Sequence, residues 1–313
     1  MALRAVFFGT PEFAVPSLEE MVAAGIEVPL VVTQPDRPVG RHSTPVPSPV
    51  AKAAVERGIR SEKPERLKGN GTLFDEIRKL SADVGVIVAY GKILPKELLE
   101  IPRLGFVNVH ASLLPKFRGA SPVAAAILAG ENETGVATMR VAEDLDAGPL
   151  YLVRRTAIHP GEDAGSLSKR LAEMGANLLV ETLRGLEAGS VRAVPQSGEP
   201  SFCRTIRRED GEIDWTLGAE DLSRKLRAYT PWPGLYTFFG RERIKILDAV
   251  PGPSSRAGEP GALRSEDGKL YASAGGSSSL EVRSLQRAGR NPVSGAEFAR
   301  SLKLPARFGP GPA

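Results

Sequence analysis

The amino-acid sequence predicts an α/β protein in two parts, a mainly parallel, two-sided sheet followed by a small β-rich domain. Two observations carry this reading. In the first part, short β-branched runs alternate with amphipathic helical patterns, the rhythm of strands joined by crossovers. Beyond residue 206 that rhythm gives way to short β-like pieces separated by Gly-, Pro- and Ser-rich turns. At 313 residues, 42% apolar and 25% charged, the chain is long enough for both parts to bury a core.

Residues 5–8 are a compact apolar run ending at Gly9-Thr10-Pro11. Phe13, Ala14, Leu18, Met21 and Val22 then recur at helical spacing, so the chain opens as strand, turn and helix. Further strands are predicted at residues 28–32, 84–89 and 105–110, with helices around 50–57 and 73–80. A helix at 122–128, strands near 134–141 and 150–157, and a long amphipathic helix over about 163–188 complete a first domain, residues 1–188. Residues 189–206 mix Gly, Ser, Pro and Arg without periodicity and read as a linker. The second domain, residues 207–313, has β-like pieces at 235–239, 244–250, 269–272 and 280–285 and helical segments near 219–229 and 295–301, a pattern that suits a small barrel. The last six residues, from Phe308, are expected to fray.

Composition narrows the chemistry. The apolar start is too short for a signal peptide, and no stretch approaches the roughly 18 apolar residues of a membrane span, so a cytoplasmic protein is expected. Cys203 is the single cysteine, which excludes an internal disulfide. With three histidines and neither Cys-x-x-Cys nor His-Glu-x-x-His, no dedicated metal site is expected. The net charge of +4 is unevenly spread, because residues 204–313 hold 18 basic and 13 acidic side chains while the rest is slightly acidic. Such an excess suits a surface that meets a phosphate backbone and is as common on ordinary surfaces.

The most informative stretch is residues 106–122, Phe-Val-Asn-Val-His-Ala-Ser-Leu-Leu-Pro-Lys-Phe-Arg-Gly-Ala-Ser-Pro. Asn108 and His110 alternate with Val107 and Val109, so the amide and the imidazole leave the strand on one face. A proton carrier beside a hydrogen-bond donor is the minimum for group transfer at a carbonyl. A lone strand histidine is more often structural. Here, however, Ser112-Leu113-Leu114-Pro115 and Arg118-Gly119 place an apolar loop and a guanidinium at the strand's carboxyl end, where open α/β sheets bind ligands.

Three other motifs fail on inspection. The first strand-turn-helix lacks Gly-x-Gly-x-x-Gly, which argues against a dinucleotide site. Residues 85–92 have the wrong spacing for a P-loop, and Ile93 stands where Ser or Thr would bind Mg²⁺. Gly119-Ala120-Ser121-Pro122-Val123 is not Gly-x-Ser-x-Gly, so a serine hydrolase is not expected.

The stretch at 106–115 resembles the Asn-x-His-x-Ser-Leu-Leu-Pro motif of formyltransferases that use 10-formyltetrahydrofolate. Within that group, residues 8–14 (FGTPEFA), 33–41 (TQPDRPVGR), 89–95 (AYGKILP), 145–148 (LDAG), 210–215 (DGEIDW) and 227–234 (RAYTPWPG) together resemble the methionyl-tRNA formyltransferase family over nearly the whole chain. The resemblance implies a Rossmann-like formyl-folate domain and a C-terminal, OB-like β-barrel that helps hold tRNA. It also implies a monomeric enzyme that formylates initiator Met-tRNA for translation initiation, with 10-formyltetrahydrofolate as donor, no metal and no membrane association. By motif, Asn108, His110 and Asp146 take the catalytic positions, and Ser112, Leu113, Leu114 and Pro115 the folate-binding run. Tyr90, Gly91, Ile93 and Leu94 fall in the pterin-pocket loop, and Arg41 in the loop that clamps the tRNA acceptor arm. Two positions depart from the family: His42-Ser43-Thr44-Pro45 replaces the lysines common after this arginine, and Pro149 replaces a common acidic residue.

The implied chemistry needs these residue types. Attack of a neutral amine on a formyl carbon creates an oxyanion and an ammonium together. Asn108 would donate to the oxyanion, His110 would carry the proton, and Asp146 would orient the imidazole. A formyltransferase acting on a sugar nucleotide or a purine precursor would show the same three residues, and a formyl-folate hydrolase or a non-catalytic binding module is a further alternative. The Gly-Thr-Pro-Glu-Phe start, the Gln-Pro-Asp-Arg-Pro loop and the second domain favour an aminoacyl-tRNA acceptor.

Overall fold

Strand Arg4–Gly9 sends alternate side chains into two different cores, which is why its apolar run is unbroken. Ala5 and Phe7 pack with Leu18, Met21, Val50, Val107, Val109, Leu179 and Leu183, and Val6 and Phe8 pack with Leu73, Phe74, Ile77, Leu98 and Phe106. A strand covered on both faces is the centre of an α/β sheet. The computed structural model describes residues 3–38, 44–254, 258–303 and 305–309, and within these the first sheet has seven strands. Their order is Leu150–Ala157, Glu133–Arg140, Phe106–His110, Val84–Val88, Arg4–Gly9, Glu27–Val32 and Ser61–Glu62. The last five run parallel, and the first two join antiparallel at one side. Helices Val15–Ala23, Pro49–Glu56, Gly71–Leu80 and Ala164–Glu187 start and stop close to the expected positions. Ser48 and Asn70 cap two of them by accepting from the N–H of Ala51 and Leu73.

The chain divides into two compact units. The first comprises residues 1–122, 133–157 and 168–204, and the second comprises 123–132, 158–167 and 205–313. The segment read as a linker therefore lies, up to Arg204, inside the first unit.

In the second unit, six antiparallel strands follow the order Leu235–Phe239, Glu242–Pro251, Ser278–Arg287, Lys269–Ala274, Ala262–Glu266 and Ala306–Arg307, and Pro292–Ser294 pairs off Ser278–Arg287. The ends meet: the N–H of Phe238 donates to the Gly309 carbonyl at 3.1 Å and the N–H of Gly309 donates back at 2.9 Å. The sheet is thus a small barrel, as the short β pieces suggested. One expectation is corrected here. Phe308 does not fray; it is fully buried and stacks on Trp215 with ring centroids 5.7 Å apart, because an aromatic ring fills the barrel interior better than solvent does. Residues 310–313 lie outside the described residues.

Candidate active site

Strand Phe106–His110 lies between parallel Val84–Val88 and antiparallel Glu133–Arg140. Val107 and Val109 are buried in one core and Phe106 in the other, so Asn108 and His110 share the face of Phe106. Gly85 allows this packing, since a Cβ there would sit 2.2 Å from the Phe106 ring. Asn108 is half-buried, and its side-chain amide makes no hydrogen bond among the described residues. His110 is buried, 6% exposed.

The chain then folds back over the imidazole. Ser112 is fully buried and its Oγ donates to the Lys116 carbonyl at 2.6 Å, tying the Leu-Leu-Pro loop shut. Leu114 packs on Ala137 and Met139, and Leu113 lies over Gly135, where a Cβ would come within 2.6 Å of it. The returning backbone brings the Phe117 carbonyl to 3.0 Å from His110 Nε2. A carbonyl only accepts, so Nε2 carries a proton, and Nδ1 is the basic nitrogen of the neutral ring.

Nδ1 faces the Asp146 carboxylate, with Oδ2 3.7 Å away and the two side chains only 7% and 14% exposed. That carboxylate accepts from the N–H of Gly119 at 2.8 Å. The fold thus brings Asp146 to His110, with Asn108 on the same strand face as His110 and Asp146 at a positive φ of 48° on the loop that ends at Gly148.

Several residues here carried no sequence signal. Val194 pairs with Leu150 through two backbone hydrogen bonds of 2.7 and 2.8 Å, fixing the segment that follows. Gln196 donates to the carbonyls of Asp146 and Gly148 and accepts from Arg118. Ser201 Oγ accepts from the N–H of Phe117 at 2.9 Å, and Phe202–Cys203 runs parallel to Arg118–Gly119. A Cβ on Gly119, whose φ is +116°, would lie 2.2 Å from the Cys203 carbonyl oxygen, so only glycine fits. Burial pushes the Cys203 thiol above its ordinary pKa, and the neighbouring Asp146 charge adds to this.

The residue 90–94 loop is pinned at its start. The Tyr90 carbonyl accepts from Thr10 Oγ1 at 3.2 Å and from Gln34 Nε2 at 2.8 Å, so the opening Gly-Thr-Pro turn and the Gln-Pro loop hold one atom. The Tyr90 ring points into the core edge-on to Phe8, its Oη is buried with no partner among the described residues, and burial pushes the phenol up to about 12. Leu94 is also buried, whereas Ile93 is 90% exposed. Of these four residues, Gly91 and Ile93 therefore offer the accessible surface. Arg41 lies outside the described residues. Among the described residues no group of three His, Cys, Asp or Glu could hold a metal ion, and no helix is long and apolar enough to cross a membrane.

Comparison with known proteins adds to this geometry. Residues 3–183 match the family described as formyl transferase, and residues 205–303 match its C-terminal domain. The methionyl-tRNA formyltransferase of Chromobacterium violaceum is 42% identical over 304 residues, covering 97% of this chain and 98% of that protein. That of Thermus thermophilus is 45% identical over 300 residues, covering 95% and 96%. Among solved structures, the N-formyltransferase of Helicobacter canadensis, in complex with folinic acid and dTDP-3-aminofucose, shares the fold with a TM-score of 0.66 at 16% identity, covering 90% of this chain and 99% of that one.

Proposed function

Since the chain belongs to the formyl transferase family, we propose that it transfers the formyl group of 10-formyltetrahydrofolate to the α-amino group of methionine esterified to initiator tRNA. The product is N-formylmethionyl-tRNA for translation initiation. The observation that carries this reading is the match over both domains to methionyl-tRNA formyltransferases at 42% and 45% identity. The N-formyltransferase in complex with dTDP-3-aminofucose shares the fold at only 16% identity.

The chemistry follows from three side chains. Asn108, whose amide has no partner among the described residues, donates to the oxyanion formed as the amine adds to the formyl carbon. His110 Nδ1 takes the proton that the attacking nitrogen must lose, while Nε2 stays bonded to the Phe117 carbonyl. Asp146, 3.7 Å from Nδ1, stabilises the imidazolium this creates. The same nitrogen then returns the proton to folate N10 as the carbon–N10 bond breaks, which removes the need to expel an amide anion. One ring nitrogen serves both steps.

Substrate binding divides between the two predicted domains. In residues 1–188, the run Leu113, Leu114 and Pro115, held shut by the buried Ser112, borders the donor, and Gly91 and Ile93 face its pterin on a loop that the buried Tyr90 and Leu94 anchor from the core. Residues 207–313 and Arg41 meet the tRNA, consistent with the basic excess after residue 204. We take the enzyme to act as a cytoplasmic monomer. The test is to mix the protein with 10-formyltetrahydrofolate and charged initiator Met-tRNA, and to measure N-formylmethionine after ester hydrolysis. Folate binding without that product would assign another acceptor, and formate release without any acceptor would make the chain a hydrolase.

A further inference from the structure

Gln196 ties the loop that carries Asp146 to Arg118, and both polar atoms of its side chain are used in doing so. Its Nε2 donates to the carbonyl oxygens of Asp146 and Gly148, each at 2.8 Å. Its Oε1 accepts from Nε and Nη2 of Arg118 at 3.2 and 2.7 Å. Arg118 is followed by Gly119, whose N–H donates to Asp146 Oδ2 at 2.8 Å. The contacts close into a ring, from the Asp146 carboxylate through Gly119 and Arg118 to Gln196 and back to the Asp146 backbone.

The ring acts on a loop with little room to settle elsewhere. Asp146 has φ of +48°, a region that side-chain-bearing residues seldom adopt. Gly148 is held so closely that a Cβ would lie 1.7 Å from the Arg140 carbonyl oxygen. Two carbonyl oxygens and one guanidinium fork need two donors and one acceptor on a single group, and a primary amide is the side chain that supplies them. Glutamate would present acceptors to all three partners, and methionine would present nothing to any of them.

We propose that Gln196 is a positioning residue that fixes the Asp146 carboxylate in place against His110 Nδ1. This rests on the role assigned to Asp146 above. The hydrogen bonds of the Gln196 side chain go to Asp146, Gly148 and Arg118 and not to the imidazole, so its effect passes through the backbone of Asp146. Removing it leaves the Gly119 bond in place, so the carboxylate stays in the site but loses its register with the ring.

The test compares Q196E, Q196M, D146N and Q196M/D146N in the formylation assay, with thermal unfolding midpoints measured alongside. Q196E and Q196M should each lower kcat by about 100-fold, the cost of a roughly 1 Å misplacement, and leave KM for both substrates unchanged. On the D146N background, Q196M should add almost nothing, because the group it positions has already lost its charge. A merely structural glutamine would give losses that multiply in the double variant. D146N with parental kcat would sink the role of Asp146 itself. A slow D146N beside a parental Q196E, or multiplying losses in the double variant, would overturn the positioning role alone. Should Q196M fail to fold, Q196E carries the test, because it keeps the volume and the Arg118 pair, and Q196E/D146N then replaces the double variant.

Discussion

Replacing Asp146 with asparagine removes a charge from the site while keeping its shape. The asparagine carbonyl can still accept from the N–H of Gly119, 2.8 Å away, so the loop keeps its anchor. What disappears is a negative charge 3.7 Å from the nitrogen that becomes positive during the reaction. Both side chains are largely shielded, 7% and 14% exposed, and for a pair about 4 Å apart at an effective dielectric near 20 the attraction is about 4 kcal/mol. The asparagine dipole and nearby water recover part of that. A loss of roughly 2–4 kcal/mol in the transition state corresponds to a drop in kcat of about 30- to 1,000-fold. The assay is steady-state formylation of charged initiator tRNA, with kcat and KM separated for each substrate and the unfolding midpoint checked. Folate binding should be untouched. A D146N enzyme that folds normally and keeps kcat within about five-fold of the parent would refute the claim that this carboxylate stabilises the imidazolium.

Four further outcomes follow from the same geometry. Asn108→Ala should lower kcat by about 10²- to 10³-fold with little change in KM, as expected for the loss of one oxyanion donor; a comparable rise in KM would point to substrate binding instead. Gly119→Ala should be about 100-fold slower, because its Cβ, 2.2 Å from the Cys203 carbonyl, forces Arg118–Gly119 away from Phe202–Cys203 and shifts the Phe117 carbonyl and the Gly119 N–H that hold His110 and Asp146, a displacement of about 1 Å. Partial burial raises the Cys203 pKa and only the thiolate is alkylated, so iodoacetamide should label the folded protein slowly at neutral pH and faster only above the ordinary thiol range; rapid labelling at pH 7 would contradict the raised pKa. Arg41→Ala should raise KM for Met-tRNA and leave folate affinity alone, and unchanged kinetics would retire the acceptor contact.

The parts of this protein that were legible in the sequence are those whose signal is local. The alternation of Val107, Asn108, Val109 and His110 announces both a strand and its polar face, and the shift from helical spacing to short β pieces marks the barrel. The surroundings of His110 were not legible, because they are made largely of backbone. The Phe117 carbonyl that sets the tautomer and the Gly119 N–H that holds Asp146 belong to residues whose side chains reveal neither role. Gln196, Ser201 and Cys203 reach the site across 50 to 86 residues of sequence from a stretch with no periodicity. Such a segment reads as a connector because nothing in its own pattern records the partner it pairs with. The buried Phe308 was missed for a related reason, since Gly and Pro after it suggest a loose tail while its packing depends on Trp215, far away in the chain.

The hydrogen bonds between Phe238 and Gly309 have a bearing on solubility. A sheet whose first and last strands are joined offers no row of free N–H and C=O groups at that seam. A chain cut before residue 305 would keep most of its apolar interior yet expose two sheet edges, along Leu235–Phe239 and Ala262–Glu266, ready to pair with other copies. Shortened forms should therefore fail first by self-association, and light scattering on such a truncation would detect this before any loss of activity is measured.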